Sequence, residues 1–489
     1  MWKVLRSTNY QAGIFSKNLA SPGPSDGILK VLSHNQCRTV IIEEGYIDLD
    51  FKDEFRTYYS KLFRSLPKRC ERVHFFSSEA IPMRSLDQSG ALQIPDMTKV
   101  SDEEYLGYSI LRPTTFNRVG RTILRPPVSS NLNFCTAKYD AHILGRRFTF
   151  RGMPFIQQDS QAGACVHATL WMVARYYSSR FNLRPICISE INRLAKLLLP
   201  SGKAQTDKGA YIYQLIGAVE DLGFSCAVQD ERSCKFWTQR FINKNIDEKQ
   251  IVNFLANLLR PYLESSLPVF FTTSDHAYPV VGFHAQEPKS PLDSSVSYFI
   301  AHDDNRGPYQ EVKVEALLKD VERVVVSVPP GVNLFAERVE DHLREFLMAL
   351  PRHQALKGHL KMDDCDRLVK LFPRLRYRSL LVASITVQNA LMRHLKSDLP
   401  VFNCLYAMDY PKFLWVTDLI ESETGNVVGF SIVDSTATPK DKFIILALHY
   451  GPIFYSCDVQ SSESHLQVGP QHGGILDKIL PLIKTGDWI

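Results

Sequence analysis

The chain has 489 residues, of which 45% are hydrophobic and 22% charged. That composition excludes disordered and collagen-like chains, and the length implies about three domains. Lysine and arginine number 57 against 52 acidic residues, too small an excess to mark a nucleic-acid binder by total charge.

No apolar run reaches the roughly 18 to 20 residues of a membrane helix. Phe443 to Tyr455 comes nearest, but it holds His449, Gly451 and Pro452 and reads as a core strand. The opening MWKVLRSTNYQAG lacks the apolar core of a secretory signal. Ten cysteines, at 37, 70, 135, 165, 187, 226, 234, 365, 404 and 457, form no C-x-x-C pair, which speaks against a disulfide framework or structural zinc. The expectation is a soluble cytoplasmic protein with reduced thiols.

Residues 1–150 read as an N-terminal α/β accessory region. ASPGPSDG (20–27) and PPVSSNLN (126–133) are predicted loops. Strands are predicted at 38–47, 72–77, 105–111 and 119–124, with a helix over 52–66.

Residues 151–328 change rhythm. Val166, Leu170, Val173 and Tyr177 share one face of a predicted helix over 164–179. Further helices are predicted at 189–199, 208–222 and 247–264, with Ser189 and Asp207 as N-caps and Gly223 as a stop. Strand-like runs follow at 269–273, 277–284 and 297–302. Helices followed by antiparallel strands make an α+β domain, closed by Pro329-Pro330-Gly331. Residues 329–489 read as a third, α+β region of unknown role. It has a helix near 336–350, strands at 413–421, 427–435 and 443–449, and a turn at Glu423–Asn426.

The chemistry concentrates in MPFIQQDSQAGACVHATLWMVARYY, residues 153–177. Cys165 sits in the first turn of the predicted helix, after a small Ala-Gly-Ala lead-in. A helix N-terminus presents unpaired N–H groups and the positive end of the dipole, which favour a thiolate. An upstream glutamine can donate a side-chain N–H to an oxyanion beside the Cys165 N–H. A thiolate nucleophile needs a base and a group to orient that base. His276 opens an apolar strand, and the next strand, SYFIAH, ends in Asp303-Asp304-Asn305-Arg306-Gly307. If those strands pair, Asp303 can accept the ring N–H of His276.

The order Gln, Cys, His, Asp resembles the papain-like cysteine peptidases, and in particular the bacterial branch of double-glycine-leader peptidases. That branch has Q-x-x-x-x-x-C-G before an apolar helix, an H-[apolar]-G-[aromatic] strand, and an apolar strand ending in D-P-x-x-G. Gln158 with Cys165, His276 to Phe283, and Asp303 with Gly307 carry the likeness over about residues 150–328. The spacing from Gln158 to Cys165 is one residue longer than in the branch, leaving Gln157 and Gln161 as alternatives. Val166 replaces the Gly, and Asp304 replaces the Pro, leaving Asp303 and Asp304 as alternative orienting carboxylates. The resemblance implies a bacterial thiol hydrolase acting on a protein or peptide, with Cys165, His276, Asp303 and Gln158 as its site and no cofactor or metal.

Other histidines fit poorly. His167 lies two residues from Cys165 on the helix and faces elsewhere, His302 must point away from Asp303 on its strand, and His284 is far from His276. GPSDG at 23–27 matches G-x-S-x-G formally, but no apolar strand precedes it and it contains Pro24. Arg112, Arg118, Arg121 and Arg125 form an acid-free cluster that is either a site for phosphate, a nucleic acid or an acidic partner or a solvated hairpin whose arginines pair with acids elsewhere. The reading is a Cys-His-Asp hydrolase of peptide or isopeptide bonds. Its rivals are a deamidase or acyltransferase on the same scaffold, an inactive papain-like binding module, and a sensor in which Cys165 is oxidised.

Overall fold

The computed structural model describes residues 2–6, 23–63, 65–85, 93–129, 131–159, 165–195, 212–229, 258–274, 276–285, 296–313, 321–349, 370–394, 405–406, 408–438, 441, 444–450, 453–458 and 463–468. The elements in chain order are β1 (Trp2–Arg6), α1 (Pro24–His34), β2 (Thr39–Tyr46), α2 (Leu49–Thr57), β3 (Cys70–Phe76), β4 (Met83–Ser85), β5 (Gln93–Pro95), β6 (Tyr105–Leu111), β7 (Val119–Leu124), β8 (Leu132–Phe134), β9 (Ala137–Ile143) and β10 (Arg146–Phe155). Then come α3 (Cys165–Arg180), α4 (Ile188–Leu194), α5 (Ile212–Asp221), β11 (Ser225–Gln229), β12 (Val269–Thr272), β13 (Ala277–Ala285), β14 (Val296–Asp303), β15 (Gly307–Lys313) and β16 (Arg323–Val328). The last are α6 (Ala336–Ala349), β17 (Leu375–Ala383), α7 (Ser384–His394), β18 (Phe413–Glu421), β19 (Val427–Asp434), β20 (Ile445–Tyr450), β21 (Ile453–Asp458) and β22 (Glu463–Val468).

Among the described residues three main sheets form, ordered β1-β2-β3-β6-β7-β10-β9, then β11-β16-β12-β13-β14-β15 with β8 on β13, then the meander β17 to β22. The pairings within them are antiparallel, so the class is α+β. The N-terminal region is therefore not α/β as expected, because its strands return by hairpins and short excursions rather than by parallel crossovers. No helix among the described residues is long and apolar enough to cross a membrane.

Several elements differ from the sequence expectation. The loop expected at 20–27 is helical from Pro24. Pro24 occupies the first turn, where its missing N–H costs nothing, and the Asp26 carboxylate accepts from the Gly23 N–H at 3.3 Å. The helix expected over 52–66 is shorter and earlier, at Leu49–Thr57, because Asp48 caps it by accepting from the N–H groups of Asp50 and Phe51. Residues 126–133 are not wholly loop, since Leu132 opens β8. The single strand read from Phe443 to Tyr455 is two, β20 and β21, which pair with each other.

β1, β4, β5, β9, β10, β11, β15, β16, β17, α7 and β22 went unread, β9 and β10 because their alternation carries many charged residues. The expected helices at 189–199, 208–222 and 247–264 correspond to α4, α5 and helical residues 258–264; Ala195 and Leu222 are turn residues, and 196–199, 208–211 and 247–257 lie outside the described residues.

The N-terminal sheet and the central sheet share one core. Ile28 and Leu32 of α1 and Val73 and Phe75 of β3 belong to the same buried cluster as Leu170 and Trp171 of α3 and Val280 of β13. Polar ties cross the same boundary. Trp171 Nε1 and Arg175 donate to the Asp50 carboxylate, and the Tyr309 hydroxyl donates to the Leu124 carbonyl at 3.0 Å. Arg378 on β17 reaches Glu264 at 3.1 Å, and the Trp415 indole donates to the Leu334 carbonyl at 2.7 Å.

Candidate functional site

Cys165 is the first residue of α3 and is half-buried. One turn on, the Thr169 hydroxyl donates to the Ala277 carbonyl at 2.9 Å and is fully buried. That bond ties the cysteine helix to β13 one residue past His276. His276 itself is fixed by a tight turn. Its N–H donates to the Thr273 hydroxyl at 3.0 Å, and its carbonyl accepts from the Thr273 N–H at 2.8 Å.

β13 and β14 are paired neighbours, as the sequence reading required. The pairing brings the Asp303 carboxylate to 3.2 Å from His276 Nε2. Asp304 lies 3.5 Å from the same nitrogen, so the two acids read as alternatives both face His276. The cause is local. The β14 to β15 register shifts between Ala301 and Asp303, and residues 303–306 form a turn closed by the Arg306 N–H on the Asp303 carbonyl at 3.0 Å. Strand alternation ends there, so successive side chains can share a side. Before the turn alternation holds: His302 is fully buried and its Nδ1 contacts the Pro154 carbonyl at 3.1 Å.

The two acids are placed differently. Asp303 is partly exposed and also accepts from the Asn305 N–H at 2.9 Å. Asp304 is 1% exposed, and neither carboxylate oxygen has a hydrogen-bond partner among the described residues. Burial pulls the His276 pKa down, but the hydrogen bonds to Asp303 and Cys165 and the two nearby carboxylates overcome it, raising the value to about 10. Burial pushes Asp303 up, yet its bonds to His276 and the Asn305 N–H hold it below the usual aspartate value. Burial raises Asp304 to about 7, against the pull of the imidazolium.

The structure brings together Cys165, His276, Asp303 and Asp304. Gln158 lies beside them through Asn305, its Nε2 donating to the Asn305 Oδ1 at 3.1 Å. Gln157 is occupied elsewhere, accepting from the Val119 N–H and donating to Asn117. Gln161 and the Ala-Gly-Ala lead-in lie outside the described residues. His167 is buried, and His284 stacks on Tyr298 with ring centroids 4.7 Å apart. His276, Asp303 and Asp304 also offer ligand atoms within 4.8 Å of one another, a spacing compatible with a cation.

Arg112, Arg118 and Arg121 pair with acids elsewhere, as the hairpin reading expected, but Arg112 is not solvated. Arg112 is 1% exposed and sits 3.4 Å from Glu54 and 3.9 Å from Asp159. It also donates to the Gln157 carbonyl at 3.0 Å, so it grips the chain on both sides of Gln158. Arg121 pairs with Asp48 and Asp50, Arg118 with Glu71, and Arg125 donates to the carbonyls of Tyr105 and Asp102. Thr169 and Arg112 were missed as supports. No local pattern marks either, because their partners lie far along the chain.

No protein-family model and no curated protein matches the chain. Among solved structures it is similar to the peptidase domain of Streptococcus ComA, a bi-functional ABC transporter involved in a quorum sensing pathway. That match has 15% identity and TM-score 0.21, over 35% of this chain and 95% of that one. A double glycine motif protease from an AMS/PCAT transporter, in complex with the leader peptide, matches at 13% identity and TM-score 0.22, over 36% and 91%.

Proposed function

We propose that the chain is a cysteine peptidase-like thiol hydrolase acting on a peptide or isopeptide bond of a protein or peptide substrate. The observation that carries this reading is His276, which meets Cys165 and the Asp303 carboxylate at once and whose affinity for a proton is raised by both. A base oriented by a carboxylate and set against a helix-start cysteine is the arrangement a covalent thiol mechanism needs.

The Cys165 proton passes to the ring nitrogen of His276 that Asp303 does not engage, and the sulfur attacks the substrate carbonyl carbon. The Gln158 amide and the Cys165 N–H stabilise the negative charge on the carbonyl oxygen. His276 returns the proton to the leaving amine as the C–N bond breaks. Water, deprotonated by His276, then cleaves the thioester and releases Cys165. Asp303 orients the ring and stabilises the imidazolium, and Asp304 adds a second carboxylate.

The test is the rate of Cys165 alkylation by iodoacetamide from pH 5 to 9, read by peptide mass spectrometry, in wild type and His276→Ala. Rapid labelling at acidic pH that disappears in the variant supports the pair. Slow labelling with the same pH profile in both refutes it.

A further inference from the structure

Away from Cys165, a cavity of about 610 Å³ opens between the N-terminal sheet and the second half of α3, within the roughly 300 to 1,000 Å³ usual for small-molecule sites. Its wall includes Tyr46, Arg72, Tyr108, Trp171, Arg175 and Ser178. Arg72 on β3 is 7% exposed. Its guanidinium carbon lies 4.2 Å from the Tyr108 ring centroid and 5.0 Å from that of Tyr46. Among the described residues it makes no hydrogen bond or ion pair, and its Nε is buried without a partner.

The neighbouring cations have carboxylate partners, although the Nε of each is buried without a hydrogen-bond partner among the described residues. Arg121 is held by Asp48 and Asp50, and Arg175 by Asp50. The nearby acids do not supply the missing partner. Glu43 stands opposite Arg72 in the β2–β3 register, but its carboxylate approaches His74 Nε2, at 3.6 Å. Asp140 also lines the cavity, and its carboxylate is taken by Arg147 and Thr149. Across the cavity the Ser178 hydroxyl is buried without a hydrogen-bond partner among the described residues.

A buried cation without a counter-anion is costly. The two tyrosine faces offset part of that cost and hold the guanidinium in one orientation. We propose that the cavity binds a small organic anion, its carboxylate or phosphate seated on Arg72 and its flat apolar body extending toward Trp171 and Ser178 on the opposite wall. The site is separate from Cys165 and independent of the hydrolase reading.

Phenyl phosphate and benzoate, titrated calorimetrically into the full chain at low ionic strength, test it and distinguish the two headgroups. Saturable binding of either is expected, with Arg72→Gln weakening it by ~10-fold or more, as loss of a charge-assisted hydrogen bond implies. Ser178→Trp, which fills the cavity from the opposite wall and spares Arg72, should abolish binding, and it decides the matter if Arg72→Gln fails to fold by circular dichroism. Absence of saturable binding by wild type at millimolar probe, or wild-type affinity in both variants, overturns the proposal.

Discussion

Gly27 and Gly307 meet without room for a side chain between them. A Cβ on Gly307 would lie 2.8 Å from the Gly27 Cα, and one on Gly27 would lie 2.3 Å from the Arg306 carbonyl oxygen. Gly307 also has φ +112°, which L side chains avoid. The first turn of α1 is thereby pressed against the turn that carries Asp303 and Asp304. A segment that reads as a loop from its Gly, Pro and Ser content instead braces the two carboxylates facing His276.

Gly307→Ala should accordingly destabilise the chain by about 2 kcal/mol, combining left-handed backbone strain with an unfillable contact. Iodoacetamide labelling of Cys165 should slow with it, because the turn moves away from His276. Urea unfolding and labelling rates measured on one preparation check both effects. Wild-type stability in the variant would mean that the contact relaxes freely.

Thr169→Val keeps the shape of the side chain and removes its hydrogen bond to the Ala277 carbonyl. The loss should cost about 1 to 2 kcal/mol, since a buried acceptor is left unpaired. Cys165 labelling should fall with little change in its pH profile, because the helix shifts while His276 keeps its carboxylates. A parallel loss of the pH profile would mean that Thr169 acts on His276 directly.

Two groups at the site hold their protons more tightly in the folded chain and so make stability fall as pH rises. His276 is raised from 6.5 to about 10, so its contribution is full below 6.5 and is lost as pH rises through 10. Asp304 is raised from 3.8 to about 7, so folding favours its protonated form and stability falls as pH rises from 3.8 through 7. Melting temperatures across pH 4 to 10 should therefore decline less steeply at the acidic end in Asp304→Asn and less steeply at the alkaline end in His276→Ala. Profiles parallel to wild type would contradict the assignment.

Arg112→Leu leaves Glu54 and Asp159 buried without their cation. Breaking a buried ion pair in this way costs about 3 to 5 kcal/mol, moderated because burial raises Glu54 to about 8 and lets it take up a proton. Double substitution with Glu54→Gln should restore part of the loss. Chemical unfolding of the three variants measures it, and additive losses would argue against a shared network.

What the sequence determined by itself lies in local pattern. The periodicity of Val166, Leu170, Val173 and Tyr177 marks α3, the apolar runs around residues 280 and 300 mark β13 and β14, and the polar groups at their ends are Cys165, His276 and Asp303. Those features depend on side-chain spacing along one element, which sequence records directly. The tertiary structure decided the rest. It set Asp304 beside Asp303 through a register shift, turned Arg112 from a candidate surface cation into a buried clamp on the Gln158 segment, and seated the Arg72 guanidinium between two tyrosine rings. Each outcome depends on which distant residues meet, and pairing across tens to hundreds of residues leaves no periodic trace in the chain.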